Sequence, residues 1–256
     1  MATKLRHHLN VVGSVLGSTM TLWRGTSVVH AAKQPDKPIQ LYDMEGSPQC
    51  RSVRAALTAL GLDFEVYPCP LGGERFAPQA TALGGKPGIP VLVDTNTDMV
   101  KTHPQAIVKY LFRRYAHTVV PRYYRAGLVP HTVGTLATIA RQLRGVSVRA
   151  SRVPAQPLEL WSFESSPYSS LVRERLTELE LPYILHNIGK EQFSDMGPAT
   201  MRVKPGPYIP KAGGKREKVL AQLGRVQVPY LEDPNTGTKM FESALIIEYL
   251  EQQYAL

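Results

Sequence analysis

Hydrophobic and polar positions follow the same course twice along this chain. Ile39–Tyr42 is a short β-rich run, and Pro48–Leu60 then takes up a helical period. Phe64–Tyr67 is a second strand, and a variable helical stretch leads to a third at Ile89-Pro90-Val91-Leu92-Val93. Asp94-Thr95-Asn96-Thr97 reads as a hairpin turn, and Gln105–Tyr115 as a closing amphipathic helix. The second round runs through Leu158–Phe163, Pro167–Leu179, Tyr183–His186, Val228-Pro229-Tyr230-Leu231, Asp233–Gly237 and Ser243–Tyr254. Each round has the order β-α-β-α-β-β-α.

The two rounds also match residue by residue. Segment 39–69 aligns without a gap to 158–188, placing Ser47 on Ser166, Pro48 on Pro167, Cys50 on Ser169 and Arg54 on Arg173. Segment 88–116 aligns to 227–255, placing Pro90 on Pro229, Asp94 on Asp233, Asn96 on Asn235 and Tyr110 on Tyr249. The second copy is longer by an insertion within the Pro/Gly/Lys-rich stretch near 192–218, which reads as a loop. The expected organisation is a targeting or docking segment (1–37), a first domain (38–116), a basic linker with a short helix over Thr132–Leu143 (117–157), and a second domain (158–256).

The 256 residues suit two small domains. The net charge of +9 points toward nucleic acid only until its distribution is read. Lys4, Arg6, Arg24 and Lys33 precede the first copy with no acid among them. Arg122, Arg125, Arg141, Arg144, Arg149 and Arg152 fill the linker, again with no acid. These ten cations account for the whole excess and lie outside the folded copies, so nucleic acid is excluded as the expected partner. Two cysteines, Cys50 and Cys69, make neither a disulfide framework nor a thiolate zinc site, and no metal is expected.

The N-terminal segment is basic and acid-free. Leu5, Leu9, Val12, Leu16, Met20 and Trp23 form one stripe at helical spacing. That pattern suits a mitochondrial or chloroplast presequence. An anchor or docking helix for a partner fits it too. So does a secretory signal ending at Val29-His30-Ala31, although Gly13, Ser14, Gly17 and Ser18 interrupt its apolar region. Leu9–Trp23 falls short of the ~20 apolar residues that a membrane span needs.

Ser-Pro-x-Cys in the first copy and Ser-Pro-Tyr-Ser in the second resemble the Cys-Pro-x-Cys corner of glutaredoxins. Val228-Pro229 resembles that family's cis-proline step. Phe241-Glu242-Ser243 resembles the Glu-Ser pair that receives the γ-glutamyl end of glutathione in glutathione transferases. The tandem resembles plant, algal and cyanobacterial proteins with two glutathione-transferase N-terminal-like domains. The resemblance implies an α/β protein of two tandem thioredoxin-like (glutaredoxin or transferase N-terminal) domains, each a four-stranded mixed sheet with flanking helices. It implies glutathione as ligand, held in copy two by Ser166, Val228, Pro229, Glu242 and Ser243, with Ser166 stabilising the thiolate. Copy one keeps only Ser47, Ile89 and Pro90, with His103-Pro104 where Glu-Ser is expected. Physically, a helix N-terminus stabilises an anion, and the backbone before a cis proline is free to pair with an extended peptide.

The pattern is broken where dithiol chemistry needs it. The attacking cysteine is replaced by Ser47 and Ser166, and serine forms no mixed disulfide. Three functions stay open on the sequence. One is a glutathione-binding protein with at most weak transferase-type chemistry. A second is a non-catalytic accessory subunit of an organellar complex, a membrane-protein complex included. The third is a monothiol redox protein using Cys50.

Overall fold

The computed structural model describes residues 2–125, 143–197 and 206–256. The helix expected over Thr132–Leu143 lies outside them apart from Leu143, as does part of the 192–218 insertion.

Copy one consists of β1 (Ile39–Asp43), α2 (Pro48–Leu60), β2 (Phe64–Pro68), α3 (Ala77–Gly84), β3 (Val91–Asp94), β4 (Met99–Lys101) and α4 (Pro104–Ala116), preceded by α1 (Ala2–Met20). Copy two consists of β5 (Leu158–Ser162), α5 (Pro167–Glu178), β6 (Tyr183–Asn187), α6 (Lys215–Leu223), β7 (Tyr230–Asp233), β8 (Thr238–Phe241) and α7 (Ser243–Tyr254). Within each copy the first two strands are parallel and the hairpin is antiparallel to them. These are the two tandem thioredoxin-like units expected from the pattern.

The local chemistry explains the elements. Ser47 and Ser166 cap α2 and α5, accepting from the backbone N–H of Cys50 (3.4 Å) and Ser169 (3.3 Å). Pro48 and Pro167 follow at the first helical positions, where a missing N–H leaves nothing unpaired. Asp94 and Asp233 hold the two hairpin turns, each accepting from the backbone and side-chain amides of an asparagine two residues on. Two tyrosine hydroxyls then clamp each aspartate to its closing helix: Tyr110 and Tyr115 on Asp94, Tyr249 and Tyr254 on Asp233.

The copies are not separate bodies. β2 pairs antiparallel with β6, Phe64 opposite Leu185 and Val66 opposite Tyr183, so eight strands form one sheet in the order β4-β3-β1-β2-β6-β5-β7-β8. The pairing removes the inner edge of each small sheet, an edge that otherwise exposes unpaired backbone groups. One apolar core runs beneath both copies, joining Leu57, Leu60, Phe64 and Phe112 to Leu160, Val172, Leu185 and Ile246. Each such side chain contributes about 1.5–3 kcal/mol on burial.

A buried ionic cluster closes the joint. Arg54 donates to Glu164 of copy two (Nε–Oε2, 2.8 Å), and Arg173 donates to Glu45 of copy one (Nε–Oε2, 3.0 Å). Asp43 takes both its oxygens to Arg54 Nη1 at 2.7 Å, whereas its counterpart Ser162 accepts from Arg173 Nη1 at 2.7 Å. Aligned residues thus exchange partners across a local two-fold relation.

The N-terminal segment belongs to this joint. The face of α1 that packs on α5 is the small one, with Ser14 and Ser18 buried and Ser18 Oγ donating to Ser165 O (3.1 Å). The apolar stripe faces outward instead: Leu9 is 60% exposed, Val12 55% and Leu16 53%. The glycines and serines that look like interruptions are what allows close approach to α5. Beyond α1 the chain runs between the copies. Val28 N–H donates to Lys190 O, Val29 N–H to Ala59 O and Ala32 N–H to Leu60 O, at 2.7–2.9 Å. Gly25 adopts φ +78°, and a Cβ there would lie 2.6 Å from Glu164 Cβ, so only glycine passes. No helix among the described residues is long and apolar enough to cross a membrane.

Candidate functional site

In copy two the start of α5, the cis Val228-Pro229 step and the β8–α7 corner border one cavity of about 900 Å3. It brings together Ser166, Val228, Pro229, Glu242 and Ser243, the set expected from the sequence. The opposite wall comes from the N-terminal segment and from the turn after α4: Val11, Val15, Leu22, Trp23, Tyr123 and Tyr124.

Ser166 is 3% exposed, and its oxygen accepts from both the backbone N–H and the hydroxyl of Ser169. A hydroxyl accepts two bonds and donates one. Capping α5 therefore leaves the Ser166 proton for a ligand at the positive end of the helix. Val228 N–H and C=O make no hydrogen bond among the described residues, so the backbone beside Pro229 is open to an extended peptide. Ser243 is buried at the first position of α7. Glu242 is exposed, and its Oε1 accepts from Gln227 Nε2 at 2.5 Å.

Glu242 also has φ +73°, ψ 111°, a conformation that L-residues other than glycine rarely adopt. The equivalent His103 of copy one sits at φ −97°, ψ 125°, ordinary extended backbone. Holding a residue like Glu242 in this way costs about 1–3 kcal/mol, and only the copy that retains Glu-Ser bears the cost.

Three contributors carried no signal in the sequence. His7 Nε2 lies 3.2 Å from Ser243 Oγ, so α1 reaches the corner where Glu242 and Ser243 meet. Burial and the neighbouring His8 hold the His7 imidazole below its usual range, against the opposing pull of Glu242. Lys190 and Arg216 also line the cavity; Lys190 Nζ donates to Gly197 O at 2.7 Å and Arg216 Nη1 to Ile188 O at 2.8 Å.

Copy one brings less together. Ile89-Pro90 is again cis, and Ile89 lines a second cavity with His103 and Pro104. Pro90 is buried, and neither it nor Ser47 reaches that cavity wall. Cys50 is fully buried, and burial pushes its thiol well above the usual range. With no exposed surface, the thiol is out of reach of a substrate in this conformation. Cys69, also buried, is pushed up to about 12, first by burial and then by Asp43. No group of three or more His, Cys, Asp or Glu is placed to hold a metal among the described residues.

The pattern described as "Glutathione S-transferase, N-terminal domain" matches the chain twice, at residues 41–118 and 160–256. The chain belongs to the glutathione S-transferase N-terminal domain family. Both copies are members, and the two matches meet across the β2–β6 joint. No curated protein matches the chain. In this transferase N-terminal tandem, the copy-two cavity takes its opposite wall from residues before and between the matched regions.

Proposed function

We propose that copy two binds glutathione and that dithiol glutaredoxin chemistry is lost from both copies, leaving at most weak transferase-type chemistry at Ser166. In this reading the peptide backbone of glutathione pairs with Val228, its γ-glutamyl end reaches Glu242 and Ser243, and its sulfur accepts the Ser166 proton at the start of α5. The backbone conformation of Glu242 carries the reading. A carboxylate held at positive φ in one copy and relaxed away in the other fits a ligand contact better than a fold requirement, which both copies would share. Ser166 forms no mixed disulfide, so the sulfur stays unbonded and ready for an electrophile, which the apolar wall of Trp23, Tyr123 and Tyr124 would accommodate.

Calorimetric titration of glutathione into the full chain tests this, beside Glu242→Gln and Ser166→Ala. Micromolar to low-millimolar binding is expected, at least ten-fold weaker in Glu242→Gln. In Ser166→Ala the bound thiol should ionise at higher pH, read from its ultraviolet thiolate absorbance. Absence of heat at ~10 mM glutathione (binding weaker than about 3 kcal/mol), or equal binding by Glu242→Gln, refutes it.

A second reading, a non-catalytic accessory subunit, draws support from the outward apolar stripe of α1. We place the chain in an organelle, mitochondrion or chloroplast, on its basic, acid-free N-terminus. The bonds from residues 18–32 into both copies favour a docking segment that stays with the fold over one that is removed.

A further inference from the structure

The copy-one cavity is also about 900 Å3 but has a different electrical character. Arg24, Arg51, Lys86, Lys109, Arg113 and Arg125 line it, and no carboxylate does. Arg51 is tied to Glu164 (Nε–Oε1, 3.3 Å). The other five make no ion pair among the described residues. Arg24 lies with its guanidinium 5.2 Å from the centre of the Tyr123 ring, and its Nε and Nη2 are shut from water with no acceptor. A half-buried guanidinium left uncompensated raises the potential of the wall it belongs to. A cleft lined by one sign of charge focuses that potential inside.

Two further features fix the chemistry of the occupant. The first turn of α2 borders the cavity through Pro48 and Gln49, adding the positive end of a 13-residue helix. His103 stands where copy two has Glu242, so the acceptor for a ligand's ammonium group is gone. Ala55, Ile89, Val108, Val119 and Val120 provide apolar surface beside the cations. Copy one thus lacks the carboxylate that suits an amino acid end and holds charge for a doubly negative head on an apolar body.

We propose that the copy-one cavity binds an organic phosphate, an apolar body carrying a dianionic phosphate monoester. Arginine suits this head because its planar fork matches two oxygens of a phosphate. The site is independent of the glutathione reading of copy two.

The test uses 1-naphthyl phosphate titrated into the full chain, with 1-naphthol as the same body without the charge. The phosphate should bind at least ten-fold tighter than the naphthol. Its affinity should fall as salt rises from about 50 to about 300 mM, where screening shortens. Lys109→Gln/Arg113→Gln, two exposed positions on α4, should lose five-fold or more with an unchanged thermal melt. Arg24→Gln should weaken binding as well; if it alters the melt, the α4 pair decides. Millimolar glutathione should not displace the phosphate. Equal binding of phosphate and naphthol, unchanged affinity in the α4 variant, or displacement by glutathione would each overturn the proposal.

Discussion

Replacing Glu164 by alanine should destabilise both copies at once. Glu164 belongs to copy two, yet its carboxylate meets Arg54 of copy one at 2.8 Å and Arg51 at 3.3 Å, as well as Arg173 of its own copy at 3.4 Å. The side chains of Arg54, Arg173, Glu45 and Glu164 are at most 2% exposed. Removing one member of a buried pair costs about 3–5 kcal/mol, because it leaves a charge with neither water nor partner. For a chain of this length, that lowers the melting temperature by about 6–20 °C. Glu164→Gln keeps the shape and one acceptor, so it should lose less.

Urea denaturation followed by tryptophan fluorescence and circular dichroism reads the effect. The shared sheet and core predict one transition, moved as a whole by Glu164→Ala. Glu45 mirrors Glu164 within the same cluster, so Glu45→Ala/Glu164→Ala should depart from additivity by more than about 0.5 kcal/mol. A loss below about 1 kcal/mol, the worth of an exposed pair, would refute the reasoning. Two separate transitions, with only one moved, would refute it as well.

Other expectations follow from the same geometry. Cys50 in the native chain should react with a thiol reagent at least ~100-fold more slowly than a model thiol, and promptly in guanidinium, since reaction requires opening of the fold. Asp94 and Asp233 are pushed up by burial, but hydrogen bonds from Tyr115, Tyr110 and Asn96, and from Tyr249, Tyr254 and Asn235, outweigh it and hold both below the usual carboxylate range. Their contribution is complete above about pH 4, declines below it and is lost once pH falls through the folded value. Asp233→Asn should therefore cost about 1–3 kcal/mol at pH 7 and flatten stability against pH below 4 in a urea series. Deleting residues 2–32 removes six backbone bonds, four donated by Val28, Val29, His30 and Ala32 and two accepted by Gly25 and Thr26, and should cost about 3–9 kcal/mol at ~0.5–1.5 each; an unchanged melt would mean the segment only rests on the surface.

Much of this was legible in the chain because it is local. Ser-Pro at a helix start, Asp-x-Asn at a hairpin and X-Pro before a strand each act within a few residues, so the repeat and the elements could be read directly, and the five copy-two residues implied by the resemblance line one cavity. The joint could not. Strand periodicity says that β2 and β6 each have a buried face, and says nothing of which edges meet. Arg54 aligned with Arg173, and Glu45 with Glu164, left a trace in the repeat, but an aligned pair does not reveal that its partners are exchanged. The stripe on α1 does not mark the face that packs on α5, for a related reason. Apolar periodicity marks the face that wants covering, whereas α1 packs through Ser14 and Ser18, whose virtue is small size. His7 reaches Ser243 across 236 residues of sequence, and nothing local encodes that.

The two copies share the devices that build the sheet and differ at positions that line a cavity. Cap, hairpin clamp, cis proline and buried arginine recur, while Glu242 aligns with His103 and Ser243 with Pro104. The walls that complete the cavities come from unrepeated chain. Trp23 lines the copy-two cavity and Arg24 the copy-one cavity, and Tyr124 lines both. A two-fold frame with two identical sites would need two such walls, and one segment running once through the joint cannot supply them. It presents an aromatic ring to one side and a guanidinium to the other. The single N-terminal segment therefore suffices to give the two cavities unlike walls, Trp23 in one and Arg24 in the other, with Tyr124 common to both.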